Sequence, residues 1–284
     1  MTTIEQKNYL TAEEVLTHGI EYLEEATYFS NLVSKEMEDV CFDSGGITFD
    51  GGKLSVLISK NESDNSAFAL NILNDVAVKQ GISAAYFSIE SIDEKDISNH
   101  LLSINTKVSL WKIRNGQLSL IDMKKIHDAA GGISNGSFYV SCNEKLSVRN
   151  FVRLCKKIYT ETKFKLLIAD TRNLSENKKE EIWNFLCEIE QFSRILNIPV
   201  LLLVEEKSFK RIKKSLYGKA RQTIFLARKG RTVGNDSPIF ESEIKIVSEK
   251  GKEVRKIVFD ASTKVFDFGR VEKGENPDKI REDI

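Results

Sequence analysis

The chain has 284 residues with 42 Lys and Arg against 42 Asp and Glu, which is enough for one large α/β domain, or one domain with an added arm, and leaves a net charge that names no partner. Four cysteines, Cys41, Cys142, Cys155 and Cys187, stand far apart with no C-x-x-C pair, which argues against a disulfide framework and a metal site and fits a reducing compartment. The opening residues show no basic segment leading into an apolar one, and no apolar run approaches the ~18 residues of a membrane span. A cytoplasmic protein without membrane contact is expected.

In chain order, residues 11–30 are predicted as a helix, begun by a capping box of Thr11 and Glu14 and carried by Val15, Gly19, Tyr22, Leu23 and Ala26 at roughly helical spacing. Much of its surface is polar, as suits an arm that docks elsewhere. Asp43-Ser44-Gly45-Gly46 and Asp50-Gly51-Gly52 are turn signals around a short edge element. Strands and helices then alternate. Strands are expected at 54–59, 84–89, 137–141, 165–169, 199–204 and 222–227. Helices are expected at 66–80, 93–105, 119–130, 147–161 and 176–196, with a loop over 131–136. A hairpin is read at 243–248 and 254–260, and 263–268 adds a last short strand. Continuous apolar strands between helices mean a mostly parallel sheet covered on both faces. In such folds ligands sit at the carboxyl ends of the strands. Glu90, Asp170 and Glu205 stand at three of those ends.

The loop after the strand at 54–59 is read as eight residues, Ser59-Lys60-Asn61-Glu62-Ser63-Asp64-Asn65-Ser66. Strand, eight-residue loop and helix is the layout of a phosphate-binding loop. Such a loop needs glycines, so that backbone N–H groups turn inward, and a lysine against the terminal phosphates. Here the lead glycine positions hold Ser59 and Asp64, and the lysine position holds Asn65. Only Ser66, at the metal-binding hydroxyl position, fits. Glu62 and Asp64 would set like charge beside a triphosphate.

Charge is unevenly spread. Lys35 is the only Lys or Arg between Thr11 and Asp43, whereas ten Lys or Arg and no acid lie between Lys207 and Arg231. The basic stretch fits an anionic partner, and equally a solvated face. His18, His100 and His127 read as surface histidines. Trp111 and Trp183 sit among core-type residues and read as packing.

This order of elements resembles the C-terminal, RecA-like motor domain of DnaB-type replicative helicases over roughly 11–268. Ala67-Phe68-Ala69-Leu70-Asn71-Ile72 is similar to the helix after the family's phosphate loop. The run Gly81 to Glu90 is similar to the strand ending in its catalytic glutamate, Leu166-Leu167-Ile168-Ala169-Asp170 to its Walker B strand, and Leu196 to Leu203 to the next core strand. Val258-Phe259-Asp260, with Thr263 to Phe266, resembles the closing hairpin, and Thr11 to Leu16 the start of the linker helix that docks on a neighbouring subunit.

The resemblance implies an N-terminal linker helix over 1–30, a RecA-like domain over 31–270 and a charged tail over 271–284. It casts Glu90, Asp170 and Glu205 as vestiges of an ATPase site, with Glu205 at a position usually held by glutamine, and Ser59, Lys60, Asp64, Asn65 and Ser66 as a vestigial phosphate loop. An acid that merely caps a strand end is the competing reading for these carboxylates. The family's cationic pair would fall near Ser248-Glu249-Lys250. The segment after the 199–204 strand is, in the family, a loop that tracks single-stranded DNA. This assigns DNA contacts to Lys207, Lys210, Arg211, Lys213, Lys214, Lys219 and Arg221, with stacking open to Phe209 and Tyr217 unless they are buried.

Two readings follow. The first is a non-catalytic paralogue that needs no cofactor, binds DNA and assembles with itself or with a DnaB-type helicase through 11–30. The second is a divergent ATPase that uses ATP and Mg, with Lys60 as its relocated cation.

Overall fold

Six residues of almost wholly apolar sequence, Leu54–Ser59, are all buried and form β3, the middle strand of a nine-stranded sheet of order β11-β10-β9-β8-β3-β7-β6-β4-β5. The computed structural model describes residues 11–13, 16, 17, 20, 23, 27, 40–60, 62–89, 92–142, 148–171, 179–216, 219–233, 238–248 and 251–267. Residues 1–38 and 39–284 form two units. In the first, every described residue between 12 and 27 is helical, and Leu16, Ile20 and Leu23 are exposed.

In the second unit, β4 (Ala84–Ser88), β5 (Phe138–Cys142), β6 (Leu166–Asp170), β7 (Val200–Glu205) and β8 (Ala220–Val233) join β3 in a run of parallel pairs. β9 (Pro238–Ser248), β10 (Gly251–Asp260) and β11 (Val265–Asp267) extend it by antiparallel pairing. β8, β9 and β10 are much longer than their sequence signals suggest. Alternate strand residues feed opposite faces. Tyr86 joins the core under α1 (Glu62–Leu73) and α2 (Glu94–Thr106). Phe87, its neighbour, meets Phe151 and Phe164 edge-on at 6.4 and 5.9 Å, beneath α5 (Val148–Thr162) and α6 (Lys179–Leu196).

Several expectations change. The element expected at the edge of the sheet is a separate hairpin of β1 (Cys41–Ser44) and β2 (Ile47–Asp50), turning at Gly45 and Gly46 with φ of 60° and 77°, conformations that glycine adopts at no steric cost. A short helix, α3 (Leu110–Asn115), precedes α4 (Leu120–Ser134), and α4 runs through most of the 131–136 stretch read as loop. A capping box of Ser119 and Asp122 starts α4, and this fixed start outweighs the helix-weakening Gly131 and Gly132. Trp111 and Trp183 are exposed, and His100 is buried. Among the described residues no helix is long and apolar enough to cross a membrane.

Candidate functional site at the carboxyl edge of the sheet

The parallel strands end in register. Ser59 lies level with Glu205 of β7 and Leu226 of β8, and Asp170 lies level with Ser88 of β4 and Leu203 of β7. The chain leaves β3 at Ser59 and is helical again at Glu62, so the eight-residue loop expected from the sequence is not there. The physical reason is in the same residues. Asp64 places negative charge in a first turn, where the helix dipole and unpaired N–H groups favour it, and no glycine draws the backbone into a cradle.

Each described side chain of the expected phosphate loop has a place. Asp64 is buried and pairs with Arg228 of β8. The Nδ2 of buried Asn65 donates to the Val204 carbonyl at 3.1 Å. Ser66 Oγ donates to Asp170 Oδ2 at 3.2 Å, and the Tyr86 hydroxyl donates to the same oxygen at 2.7 Å. Asp170 is fully buried, and its carbonyl accepts the Ile89 N–H at 3.0 Å. Its carboxylate is thus the acceptor of an internal network joining α1, β4 and β6. Ser59 is buried, Lys60 exposed and Glu205 half-buried at its strand end. Glu90, Lys250 and Tyr217 lie outside the described residues, as does the side chain of Arg211.

The basic stretch is not the loop that the resemblance implies. Residues Glu206–Leu216 form α7. Ser208, Ile212 and Leu216 face inward, while Lys207, Lys210 and Lys214 are exposed and Lys213 is half-buried. At 1.5 Å per residue, positions 207, 210 and 214 form one row along the helix. Lys210 also reaches Glu206 at 3.1 Å. Phe209 packs edge-on against Phe225 at 5.6 Å. Lys219 and Arg221 stand apart from this row. Lys219 pairs with Glu190 at 3.1 Å and lies 4.8 Å from the Trp183 ring centre, and Arg221 pairs with Asp50 at 2.8 Å, tying β8 to the β1–β2 hairpin.

Residues 42–211, more than half the chain, match the family described as DnaB-like helicase C terminal domain. The chain belongs to this family. It is similar to the replicative DNA helicase DnaB of Geobacillus stearothermophilus, 24% identical over 57% of this chain and 38% of that protein. Against the replicative DNA helicase DnaC of Bacillus subtilis strain 168 the identity is 25% over the same shares of 57% and 38%. The chain therefore spans about two-fifths of the length of these relatives. Among solved structures, a DnaB-like replicative helicase, described with its interactions with primase, gives TM-score 0.65 and 14% identity over 89% of this chain and 71% of that one. A structure described as an ATPase domain gives TM-score 0.63 and 14% identity over 92% and 99% of the two chains. At that identity the likeness establishes the fold, a RecA-like mostly parallel sheet flanked by helices.

Sequence reasoning misses three features of this DnaB-like domain. Arg228 lies 164 residues from Asp64, and nothing local announces the pair. Tyr86 reads only as part of an apolar strand. The apolar exposure of α3 and α4, at Trp111 (59%), Leu120 (90%) and Ile121 (70%), has no local signal, because an adjacent apolar pair such as Leu120-Ile121 fits a buried helix face equally well.

Proposed function

We propose that this DnaB-like domain is a non-catalytic member of the helicase family that works as a DNA-binding and assembly subunit in the cytoplasm. The observation that carries the reading is the start of α1 at Glu62, with the Asp64 carboxylate held by Arg228. A triphosphate needs inward-turned N–H groups and a lysine beside its terminal phosphates. The residues present do not fit it, because that stretch of backbone is helix, the lysine position holds Asn65 bonded to Val204, and a buried carboxylate stands beside it. Each charge-assisted contact forgone weakens binding by about 1.5–3 kcal/mol, and several are forgone together.

The alternative is a working ATPase with a remodelled loop. The Ser66–Asp170 contact and the exposure of Lys60 beside Ser59 favour it. Calorimetric titration of the full chain with Mg-ATP decides between them. No heat at micromolar concentrations is expected. Micromolar affinity, or turnover lost in Glu90→Ala, establishes the ATPase instead.

For assembly, the support is a pair of exposed apolar surfaces of opposite charge character. The N-terminal helix shows Leu16, Ile20 and Leu23 in an acidic sequence. The second unit shows Trp111, Leu120, Ile121 and Met123 beside exposed Lys124 and Lys125. The reading seats the helix of one copy on α3 and α4 of another copy or of a related helicase subunit.

A further inference from the structure

β8 does not stop where β3 does. Ser59 is level with Leu226, and beyond that point β8 pairs with β9 alone among the described residues. The outer strands therefore form an arm that overhangs the carboxyl edge, and Arg228 stands at its root. The guanidinium carbon of Arg228 lies 5.0 Å from the Phe240 ring centre on β9 and 4.7 Å from that of Phe259 on β10. The Lys264 ammonium lies 5.6 Å from the same Phe259 ring. Its pKa is held below the ordinary lysine value by burial first and by Arg228 next, while Asp64 acts in the opposite sense. Two cations thus share one aromatic ring, and Asp64, buried in the first turn of α1, is the acid that pairs with one and supports the other. A buried carboxylate of this kind persists only with its cation, and the cation with it.

We propose that Asp64 is a built-in anion: with Arg228 it forms a latch that clamps the β8–β10 arm to α1, in the place where a bound phosphate group would otherwise supply the charge between them. The proposal rests on the reading that no nucleotide occupies this edge, and it gives that reading a conformational consequence. The domain holds its outer strands in place without a ligand and does not cycle with one. The Nε of Arg228 is buried without a hydrogen-bond partner among the described residues, so the guanidinium keeps donor capacity that a small anion could use once the aspartate is removed.

The test uses the full chain. Asp64→Asn and Arg228→Gln should each lower the melting temperature by roughly 5 °C or more, and should speed amide exchange over 226–233 while leaving β4 and β6 unchanged. The double variant should be no worse than the weaker single one, because the two side chains act as a pair. Sodium formate should return part of the lost stability to Asp64→Ala, and none to Asp64→Ala/Arg228→Gln or to the parent. Additive losses, unchanged exchange over 226–233, or formate raising every variant alike overturns the latch. If neither neutral variant folds, Asp64→Glu serves, since a retained carboxylate should keep the arm protected and an unprotected arm overturns the proposal. Mg-ATP binding by the parent overturns the non-catalytic reading, and it overturns the latch as well if ATP changes amide exchange over 226–233.

Discussion

His100 carries the clearest pH consequence in the molecule. It is buried on α2, its Nδ1 has no hydrogen-bond partner among the described residues, and its pKa is lowered from 6.5 to about 4, by burial first and then by the charges of Arg114 and Lys264. Between those values the unfolded chain binds a proton that the folded chain refuses. The contribution is therefore fully present above about pH 6.5 and is lost as pH falls toward 4. The loss amounts to about 3 kcal/mol at the lower end. Urea unfolding at pH 7, 5.5 and 4.5 should show falling stability, with a shallower fall in His100→Gln. Equal slopes in the two proteins would remove His100 from the account. A histidine on a helical pattern is legible as helical, but its burial depends on packing from other elements, so the sequence alone does not reveal the shift. Asn71 makes the same point. It reads as one polar residue in an apolar helix, yet it donates to the Lys264 carbonyl at 2.8 Å and accepts the Phe266 N–H at 3.2 Å, covering the outer edge of β11 as a paired strand would.

Strands of the parallel core are legible because burial on both faces writes itself as unbroken apolar sequence, as in Leu166–Asp170 and Val200–Glu205. Helix starts are less legible where two signals compete. Asn61-Glu62-Ser63-Asp64 is a good opening for a helix, a capping type followed by acids, but the expectation of a phosphate loop at that spacing hides it. The basic segment after β7 misleads in the same way, since the loop comes with the resemblance while Ser208, Ile212 and Leu216 keep helical spacing. The helix sharpens the nucleic-acid reading. Lys219 and Arg221 are partly buried in their pairs with Glu190 and Asp50, whereas Lys210 stays exposed although it reaches Glu206, so the exposed row Lys207, Lys210 and Lys214 is left to neutralise phosphates. Single-strand affinity should fall with salt with a slope of about −0.7 per phosphate neutralised. Changing all three lysines to Glu should abolish binding of a labelled oligonucleotide in anisotropy titrations and move stability by no more than about 0.5 kcal/mol for each exposed substitution. Undiminished binding in that variant assigns α7 to a solvated face.

At the scale of the whole chain, the RecA-like topology is readable because element order, strand type and spacing agree with one another even where single motifs fail. The Asp64–Arg228 joint and the reach of β8–β10 are not, since they depend on contacts between distant parts of the sequence. What the topology leaves open is how the apolar surfaces are covered. No residue of α4 is buried, and Leu120 and Ile121 project from its start, while Leu16, Ile20 and Leu23 recur on the N-terminal helix at the spacing of one helical face. A monomer exposing both surfaces bears a cost that association removes, at about 25 cal/mol for each Å² of apolar surface covered. Sedimentation of the full chain should therefore show a mass above that of one copy. Removing residues 1–30 should return it to the monomer without unfolding the second unit, which begins at Asp39. Leu120→Asp with Ile121→Asp should do the same from the other side of the contact, with little change in melting temperature because both side chains are already exposed. A truncated chain that unfolds places the helix in the core of its own copy. A charged α4 that associates as well as the parent moves the acceptor surface away from α3 and α4, and the two outcomes are told apart by the same sedimentation run read beside a thermal melt.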